Sequence, residues 1–192
     1  MYKEIIMKLK AINIAIVALG LSLPFATIAA TTESPTTAVV SEKTDLSQPD
    51  KSDSAILAWA NSTGVAIYTY NFKNYRDEIQ KLSGFFTDSA WTQFQTALKT
   101  SNNLDTVIAK KLIVSAAVTG APVIVKKGLL NELYSWTVQM PMTVTYTSAS
   151  DRTQQNIIVT MQITRTSSVN APTGVAISQF VVTPATGESN SK

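Results

Sequence analysis

The sequence contains neither cysteine nor histidine among its 192 residues. Without cysteine the chain forms no disulfide and offers no thiolate to a metal or a substrate. Without histidine it cannot build a Ser-His-Asp or Cys-His catalytic arrangement, nor a histidine-ligated zinc or iron site. The composition therefore excludes the commonest hydrolytic and redox mechanisms, and we expect no catalytic residue, no metal and no cofactor.

Charged residues are also scarce, at 15% of the chain, whereas hydrophobic residues make up 45%. The formal net charge of +3 is unevenly distributed, with −3 on residues 30–53 and +4 from residue 54 onward. A net charge of +4 is too small to indicate nucleic-acid binding. The apolar content is sufficient for one domain with its own core.

Residues 1–30 have the pattern of a secretory signal peptide. Lys8 and Lys10 precede an apolar segment, and no charged residue occurs between positions 11 and 32. Small residues at its end predict cleavage at Ala29 or Ala30. The alternative is an uncleaved membrane anchor, since about 20 apolar residues can span a bilayer. In both cases residues 31–192 are expected outside the cytoplasm.

The segment that follows, residues 31–53, is rich in Ser, Thr, Pro and acidic residues. Such a composition buries too little apolar surface to offset the entropy of ordering, so we expect a flexible linker. Residues 54–184 form the predicted domain, and the polar residues 185–192 are expected to be a disordered tail.

The first half of the domain has the apolar spacing of helices. Ser52 or Asp53 is the predicted N-cap of the first helix and Thr87 that of the third, with a short fourth helical turn near residues 104–109. In the second helix, which Gly84 is expected to end, Asp77 and Lys81 are placed for an ion pair. The predicted inward residues are Ile56, Ala60, Thr63, Ile67, Tyr70, Tyr75, Ile79, Leu82, Phe86, Trp91, Phe94 and Leu98.

The second half alternates with a period of two, most clearly from Tyr134 to Thr147. This predicts a long strand with one face on the core, and Pro141 within it predicts a bulge or an unpaired side. Further strands are expected near residues 112–118, 123–125, 157–163 and 175–183, with a bulge at Ser178–Gln179 in the last. Helices followed by strands predict an α+β fold, with helices covering one face of an antiparallel sheet.

Several phrases of the sequence resemble the IcmL/DotI family of type IVB secretion systems, which is related to the TraM protein of conjugation systems. They include AIYTYNFKNYR (66–76), FFTDSAW (85–91), TGAPVIVKKGLLN (119–131) and WTVQMPMTVTY (136–146), and the similarity extends over about residues 54–183. The resemblance implies an NTF2-like fold with a curved sheet. It also implies a non-enzymatic periplasmic role near the inner membrane, with other secretion-system subunits or further copies of the chain as partners.

Two groups of residues are candidates for an interaction surface. Tyr68, Tyr70, Phe72 and Tyr75 form an aromatic cluster that either packs a helix corner or binds a partner protein. Lys126 and Lys127 flank a strand, as do Lys110 and Lys111, and paired lysines usually mark solvated strand ends or protected sheet edges. If the fold brings both lysine pairs together, an acidic partner or a lipid headgroup is the expected ligand.

Two other functions stay open at the level of sequence. An NTF2-like small-ligand binder or enzyme would use an apolar pocket, and a catalytic version requires a buried carboxylate, for which Asp77, Glu78 and Asp88 are the candidates. An exported protein that acts outside the secretion machine is the other alternative.

Overall fold

The computed structural model describes residues 44–167, 169 and 171–185. The predicted signal cleavage site, the linker up to residue 43 and the tail from residue 186 lie outside the described residues. The helices are α1 (Asp53–Ile67), α2 (Tyr75–Lys81), α3 (Asp88–Thr100) and α4 (Asn103–Ala109). The strands are β1 (Tyr70–Asn71), β2 (Ile113–Val118), β3 (Val123–Leu130), β4 (Leu133–Thr147), β5 (Arg152–Arg165) and β6 (Val175–Pro184).

All strand pairs are antiparallel, in the order β1-β2-β4-β5-β6, and β3 also pairs with β4. The helices pack on one face of this sheet, so the predicted α+β class is confirmed. The core forms where the inward residues of β4 and β5 meet α1. Its members there are Ile56, Ala60, Ile67, Trp136, Val138, Met140, Met142, Val144, Ile157, Val159, Met161 and Ile163.

Pro141 lies where β4 changes partner on one of its sides. Residues 133–139 of β4 pair with β3, whereas residues 142–147 pair with β2. The carbonyl of Pro141 accepts a hydrogen bond from Thr119 N (2.9 Å) in the gap between these two strands. The pairing with β5 runs past Pro141 without a register shift. The sequence predicts either a bulge or an unpaired side at Pro141, and the structure has the unpaired side. Proline has no N–H to donate, so no hydrogen bond of the sheet is lost at this place.

The predicted helix caps are confirmed. The Ser52 hydroxyl accepts a hydrogen bond from Ala55 N (3.2 Å), and the Thr87 hydroxyl accepts one from Ala90 N (3.3 Å). The bulge of β6 is also confirmed. Gln179 pairs with Gln162 and Ile177 pairs with Ile163, which leaves Ser178 as the extra residue.

Two details of the second helix differ from the prediction. The α-helical part of α2 ends at Lys81, and a single 3₁₀ turn from Leu82 to Phe85 carries the chain past Gly84. Lys81 forms its ion pair with Glu78 (2.9 Å), so the predicted pairing with Asp77 is wrong. Positions three and four apart are both neighbours on a helix surface, and sequence spacing alone does not choose between them.

Residues 44–52, which the sequence assigns to the linker, are held against the domain; we call them the N-terminal strap. Tyr134 N donates a hydrogen bond to Leu46 O (2.8 Å). The buried Arg165 donates from Nη1 to the carbonyls of Asp45 and Gln48, and its Nε lies 3.3 Å from Asp50 Oδ1 as an ion pair. The linker prediction is wrong for this stretch because a buried arginine far along the chain supplies the donors that order it.

Candidate functional site

A hollow of about 500 Å³ opens between α3, the end of α1 and the inner face of the sheet; we call it the tyrosine hollow. Its floor is made of buried residues, namely Ile67, Tyr70, Ala90, Val144 and Ile157. Its rim includes the exposed residues Gln93, Ala97, Ser101, Gln155 and Gln179. The hollow is therefore apolar at its base and carries amides and a hydroxyl at its mouth.

Three phenol groups line the tyrosine hollow, from Tyr68, Tyr70 and Tyr146. Burial is the main cause that raises the pKa of Tyr70 to about 12, and the nearby Tyr146 adds to the effect. The same two causes raise the pKa of Tyr68 further. Both phenols are thus protonated at neutral pH and act as hydrogen-bond donors. The Tyr146 hydroxyl accepts a bond from Asn103 Nδ2 (3.3 Å), whereas those of Tyr68 and Tyr70 bond to no group among the described residues.

Aromatic packing fixes the wall of the hollow on the side of α3. The ring of Phe94 stacks on Phe86 at 5.0 Å between centroids and on Trp91 at 5.7 Å. Phe180 of β6 meets Phe94 edge-on at 6.1 Å. Such contacts hold the lining rings in defined positions, so the hollow is formed before anything enters it.

The carboxylates that an enzyme would require do not line the hollow. Asp77 and Asp88 are exposed, and Glu78 is paired with Lys81 on the surface of α2. Lys110 and Asp151 lie in an adjoining, more open depression that shares Tyr146 with the hollow. Within the described residues, the arrangement offers phenol, amide and apolar groups for binding.

The structure divides the predicted aromatic cluster. Tyr68 and Tyr70 face the hollow, whereas Phe72 and Tyr75 lie half-buried at the turn that leads into α2. There a cation stands over each ring: Lys73 Nζ is 5.5 Å from the Phe72 centroid, and the guanidinium of Arg76 is 5.5 Å from that of Tyr75. The four residues thus belong to two different environments.

The two lysine pairs also lie apart. Lys126 and Lys127 are on β3, opposite Thr137 and Trp136 of β4. Lys110 and Lys111 precede β2, whose first residue pairs with Thr147 of β4. At strand spacing, Thr147 lies about 33 Å from Thr137 along β4. Lys127 forms an ion pair with Asp53 (2.6 Å), a hydrogen bond that raises the pKa of Lys127. The topology therefore rules out a joint anion-binding site made of both lysine pairs.

The lysine and tyrosine candidates lie near opposite ends of α1. Asp53, the partner of Lys127, begins α1, and Tyr68 follows its end. A helix of 15 residues is about 22 Å long. A single partner-binding patch through Tyr68 and Lys127 would have to span that distance.

Sequence reasoning missed the exposed apolar edge of the sheet, which β3 forms. Val123, Val125, Leu129 and Leu130 are between 44% and 63% exposed, although they are in a strand. Within residues 44–185 as far as the structure describes them, β3 pairs with β4 alone, so its other edge presents unpaired backbone groups. An apolar run in a sequence is typical of a buried strand. The lysine pair at positions 126 and 127 allows a sheet edge, but it does not indicate that the apolar side chains beside it are exposed.

The sequence matches the family model described as "Type-IV b secretion system, inner-membrane complex component" over residues 14–184. The chain is also 62% identical to the periplasmic domain of DotI, with a TM-score of 0.70, over 72% of this chain and 99% of that one. The chain belongs to the DotI/IcmL family. The resemblance drawn from the sequence is confirmed.

Two further solved structures extend the likeness. An IcmL-like type IV secretion system protein from Legionella pneumophila is 24% identical (TM-score 0.65), over 73% of this chain and 99% of that one. A periplasmic fragment of TraM is 26% identical (TM-score 0.64), over 70% of this chain and 98% of that one. No curated protein sequence gave a match. The NTF2-like fold of the DotI/IcmL domain, helices on a curved antiparallel sheet, is confirmed.

The DotI/IcmL family model begins at residue 14, within the apolar N-terminal segment. Among the residues that the structure describes, no helix is both long enough and apolar enough to cross a membrane.

Proposed function

We propose that this DotI/IcmL protein is a non-enzymatic subunit of a type IVB secretion or conjugation apparatus and acts by binding other subunits. The observation that carries the proposal is its 62% identity to the DotI periplasmic domain over almost the whole of that domain. The domain would then contribute contact area to the inner-membrane complex rather than chemistry.

We further propose that residues 31–192 reside in the periplasm, with the signal cleaved at Ala29 or Ala30. N-terminal sequencing of the protein from the cell envelope tests this, and we expect the mature chain to begin at Ala30 or Thr31. An intact N-terminus in the membrane fraction would support the anchored alternative. Release of the protein into the medium would favour a role outside the machine.

The exposed edge of β3 is the surface that we expect to be used in assembly. It combines unpaired backbone groups with four exposed apolar side chains, and such an edge pairs readily with a strand of another chain. The charge of Lys126 on the same strand disfavours unspecific pairing with other strands, and it leaves the backbone groups of the edge accessible.

The experiment compares two double variants of equal chemistry. Val125→Lys with Leu129→Lys places two charges on the β3 edge, and Ile108→Lys with Ile113→Lys places two on exposed apolar positions of α4 and β2. Light scattering of the purified chain and co-purification from cells with the secretion apparatus give the readout. We expect the β3 variant alone to lose assembly. A wild-type chain that is monomeric and captures no secretion subunit contradicts the proposal.

A further inference from the structure

We propose that the tyrosine hollow is a binding site for an uncharged small molecule that has an apolar body and a hydrogen-bond acceptor, such as a ketone, ester or amide. Binding of such a molecule does not require assembly with other subunits.

The dimensions of the hollow suit a small molecule. Its volume of about 500 Å³ lies within the range of roughly 300–1,000 Å³ that is usual for ligand sites. The floor is buried and apolar, and the rings of Phe94 and Phe180 stand along its side. A flat apolar body can therefore bury most of its surface against rings and aliphatic groups.

The polar groups define which kind of molecule fits. The hydroxyls of Tyr68 and Tyr70 face the hollow without a partner among the described residues, and both remain donors at neutral pH. Asn103 engages the third phenol, that of Tyr146. An acceptor atom on the ligand would accept hydrogen bonds from these two free hydroxyls. Such hydrogen bonds are stronger in a site that is shielded from water.

The charge of the site excludes ionic ligands. None of the described residues that line the tyrosine hollow carries a charge. A carboxylate or an ammonium group bound there would lose its hydration without gaining a counter-ion, which is costly. Lys110 and Asp151 carry charges, but they line the adjoining depression and not the hollow.

Two probes of the same size and ring system test the class of ligand. We would titrate the purified full chain with 2-acetylnaphthalene, a neutral ketone, and with 2-naphthoate, its carboxylate counterpart, by calorimetry and NMR. We expect saturable one-site binding of the ketone and at least about tenfold weaker binding of the carboxylate. No saturable binding of the ketone, or equal binding of both probes, would overturn the proposal.

Matched variants locate the site. Ala97→Trp fills the mouth of the hollow and should abolish binding, whereas Thr96→Trp adds the same ring one position away, outside the lining, and should not. Tyr68→Phe and Tyr70→Phe should each weaken binding of the ketone about three- to tenfold by removing one donor. Tyr134→Phe, at the other end of β4, should leave binding unchanged.

The variants keep the test decisive even if one of them fails to fold. Circular dichroism identifies such a variant, and the Tyr→Phe changes preserve ring packing, so at least one pair remains informative. If the ketone still binds both to Ala97→Trp and to the variants without the Tyr68 and Tyr70 hydroxyls, its binding site lies elsewhere on the protein. That result would overturn the assignment.

Discussion

Single side chains decide how closely the helical layer approaches the sheet. Gly64 is the clearest case, since α1 crosses β4 and β5 there and leaves no space for a side chain. A Cβ at Gly64 would overlap the methyl group of Met140 and lie 3.2 Å from that of Met161. The absence of a side chain at this position thus lets α1 pack directly against the two methionine side chains.

Gly64→Val should lower the free energy of unfolding by about 1–3 kcal/mol, because the added methyl groups must displace a packed methionine. Urea denaturation measures the change. The same substitution in a Met140→Ala background should cost less, since the overlapping group is gone. An identical cost in both backgrounds would show that Met140 is not the obstacle.

Tyr70 makes stability sensitive to alkaline pH. Burial raises the pKa of its phenol to about 12, above the value near 10 of the unfolded chain. The folded state then holds the proton more tightly, so the stabilisation is complete below about pH 10 and is lost as pH rises towards 12. Between pH 9 and 11 the wild type should lose about 1 kcal/mol more than Tyr70→Phe, measured by urea denaturation. Tyr134→Phe is the control, and parallel losses in all three proteins would contradict the prediction.

At the scale of elements, the β3–β4 hairpin is closed by a strained two-residue turn. Asn131 and Glu132 both have positive φ values, 50° and 67°, between the paired residues Leu130 and Leu133. This is the backbone of a type I′ turn, in which glycine is favoured at the second position. Glutamate at position 132 bears the cost of a Cβ in the left-handed region.

Glu132→Gly should therefore raise the free energy of unfolding by about 0.5–1 kcal/mol, in spite of the greater flexibility of glycine in the unfolded chain. Glu132→Ala is the matched control, because it removes the carboxylate but keeps the Cβ, and it should give no gain. Thermal denaturation of the two variants separates the contributions. Equal melting temperatures would mean that backbone strain at this turn is negligible.

The sequence predicts elements well where a local pattern determines them. Alternation along β4 identifies its buried face, and the hydroxyls of Ser52 and Thr87 mark two helix starts, since a cap acts within three residues. The candidate site is only partly predictable. Tyr68 and Tyr70 attract notice as an aromatic cluster, but their meeting with Tyr146 depends on packing between distant segments. No periodicity encodes that contact.

At the scale of the whole molecule, the N-terminal strap joins the start of the domain to the end of β5. The guanidinium of Arg165 is held by Asp45 and Gln48 through their carbonyls and by Asp50 through its carboxylate. The arginine lies more than a hundred residues after the strap in the sequence. Composition alone therefore predicts a flexible segment where the fold has an ordered one.

Arg165→Met should lower the free energy of unfolding by about 2–4 kcal/mol, because it removes the donors that hold the strap and leaves Asp50 with only the longer ion pair to Lys51. Lys127→Met, which breaks the exposed ion pair with Asp53, is the matched control and should change stability little. Urea denaturation measures both. In addition, the Tyr134 amide, which donates to Leu46, should exchange with solvent faster in Arg165→Met. Unchanged exchange there would show that the strap is held by other contacts.

The position of the strap also has a mechanical consequence. A load applied at Thr44 reaches the domain through Leu46, which is bonded to Tyr134 of β4, and through Arg165 at the end of β5. If the domain is held through β3, the part of the load that Arg165 carries crosses from β5 to β4, which share a ladder of thirteen residue pairs. A pull along these strands has to shear all of the pairs together instead of unzipping them one at a time.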